Sequence, residues 1–192
     1  TLYAEDGRYT GGVRFDDLEV TDLDAGKVVA EGDFEPLPLD ALRPTFDWTA
    51  WDKAMTKAID EYHFNTFRMG LQGMGGGTFH ARHDPSLLGY GEDTEGYKTA
   101  FSRYLKGIES HLDEKGWLDE AFIYWFDEPD PKDYDFVMNG FQKLKTHAPG
   151  LRRMLTEQIE EGLIGGPNLW CPVSSSYQDD LGAERRAAGD RF

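Results

Sequence analysis

Hydrophobic and polar residues follow two different rhythms along the chain, and the change comes near Phe46. Ahead of it, Val13-Arg14-Phe15-Asp16-Asp17-Leu18-Glu19-Val20 alternates with period two, as a half-buried strand does. Asp24-Ala25-Gly26-Lys27 reads as a turn, Val28-Val29-Ala30 as a second short strand, and Gly32-Asp33 as its break. Such a hairpin is too short to hold a core of its own. Pro36, Pro38 and Pro44 fall close together and mark a linker.

Beyond Phe46, helical stripes alternate with strand-like runs. Trp48, Trp51, Met55, Ala58, Ile59 and Tyr62 share one helical face, with Asp47 placed to cap it. Asn65 to Leu71 reads as a strand. Tyr97, Phe101, Tyr104, Leu105, Ile108 and Leu112 form a second stripe that stops before Gly116. The run from Ala121 to Phe126 is apolar throughout, as a strand buried on both faces would be. Pro131 suits the first turn of a third helix behind Asp130, with Tyr134, Val137, Met138, Phe141 and Leu144 on its inner face. Leu151 to Thr156 and Asn168 to Val173 give two more short strands, and Asp180 to Ala188 a polar helix.

This alternation predicts an α/β fold of parallel strands joined by helical crossovers, with about four βα units. One connection stands out. Between Leu71 and Tyr97 the chain carries Gly73, Gly75, Gly76, Gly77, Gly89 and Gly91. A long loop after a strand's C-terminal end is where α/β folds build sites, although surface excursions share that composition.

Composition narrows the partners. The 192 residues include 36 acidic and 20 basic side chains, a formal charge of −16. Twelve Phe, five Trp and nine Tyr exclude a disordered acidic tail, because they supply a core. The basic footprint that nucleic acid demands is missing. No apolar run approaches the ~18 residues a membrane span needs. Cys171, the single cysteine, has no internal disulfide partner and is expected to be a buried, inert thiol.

Candidate chemistry concentrates at Tyr124-Trp125-Phe126-Asp127-Glu128-Pro129, where two adjacent carboxylates end an otherwise apolar strand. In parallel α/β folds that end faces the site. An Asp-Glu pair leaving a strand is also common surface chemistry, so the dipeptide alone is a weak signal. Gly116-Trp117 followed by Ala121 to Pro129, the run from His111 to Trp117, and Leu144 to Pro149 together resemble glycoside hydrolase family 123 and its wider relatives. The resemblance covers roughly residues 46–192, and Asp-Glu-Pro in this setting is its most specific element.

That resemblance implies a (β/α)8 TIM barrel, of which this chain holds a part. It also implies hydrolysis of β-linked N-acetylgalactosamine or a similar N-acetylhexosamine with retention, without cofactor or metal. In that chemistry the sugar's own 2-acetamido oxygen is the nucleophile, outside the usual two-carboxylate scheme. Asp127 would hold the acetamido N–H, and Glu128 would protonate the leaving oxygen and then activate water. Adjacent strand residues point to opposite faces. Both can serve one sugar only if the backbone turns at the strand end, as Pro129 suggests.

Tyr177 is carried over as the tyrosine that fixes the acetamido carbonyl, and Gln72 as a ligand for a sugar hydroxyl. Trp125, Trp170 and Tyr90 are either sugar-stacking platforms or core aromatics. His80, His83 and Asp84 have loose metal-like spacing without the context that makes zinc convincing. Two other functions fit the sequence. One is a retaining barrel glycosidase on a sugar without an acetamido group, with Glu157 as the second carboxylate. The other is a non-catalytic carbohydrate-binding or cell-surface protein.

Residues 1–35 resemble the closing strands of a carbohydrate-binding jelly roll, where Asp16 and Asp17 would be calcium ligands or a solvated turn. The expected organisation is therefore a β-sandwich tail over 1–35, a linker over 36–45, and barrel from 46 to 192. The expected partner is a glycan or glycoconjugate, with oligomeric state open. By resemblance the setting is secreted, periplasmic or cell-surface. A complete barrel typically takes ~250 residues, so the chain is expected to be a window on a larger enzyme.

Overall fold

A computed structural model describes residues 18–32, 38–78 and 81–192. The chain divides after Pro38 into two units. In the first, β1 (Leu18–Asp22) pairs antiparallel with β2 (Lys27–Gly32), Asp22 opposite Lys27. The Asp22 carboxylate accepts the N–H groups of Asp24 at 2.9 Å and Ala25 at 3.1 Å, which closes the predicted turn. The earlier half of the predicted strand, with Asp16 and Asp17, lies outside the described residues.

The second unit contains, in chain order, α1 (Thr49–Thr56), β3 (Phe67–Arg68), β4 (Gly76–Thr78), β5 (Ala81–His83), β6 (Ser86–Leu87), β7 (Tyr90–Gly91), α2 (Glu95–Glu114), β8 (Ala121–Ile123), β9 (Phe126–Asp127), α3 (Tyr134–His147), β10 (Arg152–Leu155), β11 (Leu169–Trp170) and α4 (Asp179–Ala187). Four of these strands form one parallel sheet in the order β3-β8-β10-β11. The order follows the chain without reversal. Right-handed crossovers then put the connecting helices on the same face, unlike a doubly wound sheet. After α4, Arg191 makes a further parallel bridge to Leu169. The strands do not close into a barrel among the described residues.

Helix boundaries follow local chemistry. Asp47 accepts the Thr49 N–H at 3.0 Å at the head of α1, and its bonds to the Thr49 hydroxyl and N–H hold its carboxyl below the usual range. The helix then widens into a π-helical turn over Lys57–Glu61. That extra residue per turn rotates the predicted stripe, so Trp51 and Ile59 stay half-buried while Tyr62 is exposed. Thr94 caps α2 by accepting the Tyr97 N–H. At its far end Gly116 takes φ +71, and the N–H groups of Gly116 and Trp117 return to Asp113 and Leu112 at 2.9 and 2.8 Å. Pro131 opens a short 3-10 turn that leads into α3.

The glycine-rich connection is not a loose loop. It folds into two small hairpins, β4–β5 and β6–β7, with β4 also parallel to β9. Gly76, at φ +120, explains the pattern. A Cβ there would lie 2.7 Å from the Trp125 carbonyl oxygen, so only glycine lets β4 approach the strand this closely.

One face of the parallel sheet carries the core. Ala121, Ile123, Leu155 and Trp170 pack with Tyr97, Phe101, Leu105, Ile108 and Leu112 of α2 and with Val137, Phe141 and Leu144 of α3. Phe122, Arg152, Met154 and Leu169, on alternate positions, are only half-buried. The expectation of a β8 strand buried on both faces is therefore corrected to one face. Buried Arg153 donates to the carbonyls of Gly166 and Leu151, and burial lowers its basicity.

Gly140 sits mid-α3 beneath the Trp125 ring, where an added Cβ would lie 2.2 Å from it. Alanine normally favours a helix over glycine by ~1 kcal/mol, but overpacking a core costs ~1–3 kcal/mol. Gly140→Ala is expected to lower stability by up to about 2 kcal/mol in urea unfolding. Equal or higher stability would show that Trp125 moves aside freely.

Candidate active-site cleft

The C-terminal ends of three neighbouring strands open onto a cleft of about 580 Å³. Glu128, Pro129 and Asp130 follow β9, Thr156, Glu157 and Gln158 follow β10, and Cys171, Pro172 and Val173 follow β11. Convergence of strand ends is the usual origin of sites in parallel α/β folds. It arises here because β10 and β11 are parallel neighbours in the four-stranded sheet and β9 follows β8 of that sheet along the chain.

Asp127 and Glu128 part company at the strand end. Glu128 has φ +44, in the left-handed region rarely used by residues other than glycine, asparagine and aspartate. That turn breaks the alternation of the strand and sends the exposed Glu128 into the cleft lining. Asp127 stays half-buried beside it. Its Oδ1 accepts hydrogen bonds from the Tyr124 hydroxyl and, at 2.9 Å, from the Thr156 hydroxyl. The same Thr156 oxygen accepts the Glu128 N–H at 3.1 Å. Burial and the bond to Asp127 raise the Tyr124 hydroxyl above its ordinary value. Arg68, at the end of β3, donates to the Tyr124 carbonyl at 3.0 Å, and its guanidinium lies 5.6 Å from the centre of the Tyr124 ring.

Glu157 also lines the cleft, with Glu128 and Asp130. Partial burial pushes it above the usual carboxylate range, and the negative charges of Glu160 and Glu128 act in the same direction. Its Oε1 accepts the Gln158 N–H at 3.0 Å, which only partly offsets them. A carboxyl that resists ionisation is suited to donate a proton.

The structure does not bring Asp127, Tyr177 or Gln72 into this lining, although Asp127 reaches it through its bond to Thr156. Tyr177 lies over Gly182 of α4, accepts from Arg186 at 2.6 Å and packs edge-on against Phe192. Gln72 is exposed, and its N–H donates to the Tyr104 hydroxyl at 3.3 Å. Trp125 packs against Phe126, Phe136 and Phe141, and buried Trp170 donates to Asp190, so both serve the core. Tyr90 lies against Gly96. His80 lies outside the described residues, and His83 and Asp84 are exposed. Among the described residues no group of three His, Cys, Asp or Glu is placed to hold a metal ion. No helix there is long and apolar enough to cross a membrane.

Cys171 corrects the sequence expectation. It is exposed and lines the cleft, because it follows the last core residue of β11 rather than filling a core position. Thr156 and Tyr124 are the residues that sequence reasoning passed over. Thr156 closes the predicted strand Leu151 to Thr156, so the strand-end rule that singled out Asp127 applied equally to it. No protein-family model matches the chain, and no curated protein matches it either.

Glu157 yields a pH prediction. Its folded-state value lies above the unfolded value near 4.5, so its contribution to stability is fully present below that value. It is lost as pH rises through the folded-state value. Glu157→Gln removes the ionisation and should raise the urea midpoint at about pH 8 but not at about pH 4. A gain of the same size at both pH values would contradict this.

Proposed function

We propose that residues 46–192 are part of a (β/α)8-barrel glycoside hydrolase that cleaves β-linked N-acetylhexosamine, of the N-acetylgalactosamine type, by retaining, substrate-assisted chemistry. The observation that carries the proposal is the turn at Glu128. It places one carboxyl of an adjacent pair in the cleft while its neighbour is held by two hydroxyls, one of them from the cleft-lining Thr156. The sequential parallel order of the sheet and the resemblance of the Asp-Glu-Pro segment to family 123 support the barrel part of the reading.

In this mechanism the acetamido oxygen attacks the anomeric carbon as Glu128 protonates the departing oxygen. Asp127, oriented by Tyr124 and Thr156, accepts the acetamido N–H and stabilises the positive oxazolinium-like intermediate. Glu128 then takes a proton from water, which attacks the face the leaving group vacated, opens the oxazolinium ring and restores the acetamido group with net retention. General acid–base catalysis of this kind contributes ~10²–10⁴-fold.

A second reading has its own support, because Glu157 lines the same cleft and burial disfavours its ionised form. There Glu157 is the acid and Glu128 the nucleophile on a plain hexoside.

Turnover of an aryl 2-acetamido-β-hexoside and of the matching plain β-hexoside separates the two. The first reading expects turnover of the acetamido substrate alone, a loss of ~10²-fold or more in Glu128→Gln, and little change in Glu157→Gln. Turnover of the plain hexoside, abolished equally by Glu157→Gln and Glu128→Gln, would replace it with the second. N-acetylgalactosamine binding without any turnover, unchanged by Asp127→Asn, would leave a carbohydrate-binding protein.

A further inference from the structure

We propose that Thr156 is the positioning residue of the acidic pair, one hydroxyl fixing both the Asp127 carboxylate and the Glu128 backbone. This rests on the assignment of Glu128 as the acid–base group.

Chemistry and distance set the directions of the two bonds that matter. A backbone N–H can only donate, so the Thr156 oxygen accepts from Glu128 at 3.1 Å. Its single proton goes to Asp127 Oδ1 at 2.9 Å, nearer than the Tyr124 hydroxyl at 3.3 Å. Tyr124 donates to that same oxygen. With Oδ1 accepting from both hydroxyls, a substrate N–H would go to Oδ2. The backbone bond meanwhile holds Glu128 at φ +44, the turn that brings its side chain to the cleft. Thr156 is half-buried, and branching at its Cβ restricts the rotamers that can aim the hydroxyl.

A role in packing and a role in positioning predict opposite orders of variants. Thr156→Val keeps the shape and removes both bonds; Thr156→Ser keeps the hydroxyl and removes a methyl. Positioning expects kcat to fall about tenfold or more in Thr156→Val with KM within about twofold, and Thr156→Ser to stay within about threefold of the parent. It also expects the Glu128 amide proton, followed by NMR, to exchange about tenfold faster in Thr156→Val than in Thr156→Ser. Thr156→Ala gives the same comparison should the valine variant fail to fold.

An unchanged Glu128 exchange rate, or a valine variant as active as the parent, overturns the inference. If Glu128→Gln or the parent shows that Glu128 has no acid–base role, the assignment beneath it falls. The exchange comparison then still decides whether Thr156 holds this backbone.

Discussion

The pairing of β10 with β8 sets the distance between Thr156 and the acidic pair. Arg152 lies opposite Phe122 and Arg153 opposite Ile123. Carried forward, that offset brings Thr156 level with Phe126, beside the start of Asp127-Glu128. β3 and β11 join the same ladder through Phe67 opposite Ala121 and Leu155 opposite Trp170. These pairings bring Cys171 level with Thr156, whereas Arg68 lies level with Phe122 and reaches forward to the Tyr124 carbonyl through its side chain. A slip of one residue would send the Thr156 hydroxyl to the other face of the sheet and separate it from both partners. Register is therefore a chemical constraint here as well as a structural one.

Packing behind the sheet holds that register. The buried faces of α2 and α3 meet Ala121, Ile123 and Leu155, residues that any slip would turn outward. Trp125 is clamped between Gly140 below and the Gly76 backbone beside it, which anchors the strand just before its functional end. Away from the cleft, Asp52 bonds His111 at 2.7 Å and also pairs with Lys115, tying α1 to α2. Trp48 stacks on the same imidazole, with ring centres 4.1 Å apart. Asp190 joins β11 to the end of α4 by accepting from Trp170 and Arg185, each at 2.8 Å. Each tie restrains a crossover at its outer side, leaving the strand ends to form the cleft.

The helices and the parallel sense of the main sheet were legible in the sequence, the helices from apolar spacing, Gly116, Pro131 and Asp47, the sheet from the alternation of strands and helices. Strand length was not. The run Asn65 to Leu71 keeps only Phe67–Arg68 as strand, since pairing shifts from β3 to β4 where the glycines allow a second approach. Those glycines read as a loop because sequence shows their permissiveness and not the Trp125 carbonyl they accommodate. At the site, Asp127 and Glu128 were visible as charge at the end of an apolar strand. Thr156 looked like an ordinary strand residue, because its importance lies in a partner twenty-nine residues away. Tyr177 looked functional by its place after a strand, yet it packs on α4 through Gly182.

The backbone at Glu128 joins these strands of argument. A left-handed conformation costs an ordinary residue ~1–2 kcal/mol, and one net hydrogen bond returns ~0.5–1.5 kcal/mol. The two are of the same size, so the bond from the Glu128 N–H to Thr156 is sufficient to offset much of the strain. Regular extension would avoid the cost, but alternation would then point Asp127 and Glu128 to opposite faces. The turn instead lets neighbouring residues divide their tasks, with Asp127 fixed by hydroxyls and Glu128 open to the cleft. Local strain, sheet register and the threonine hydroxyl thus form one device, and none of the three yields this arrangement alone.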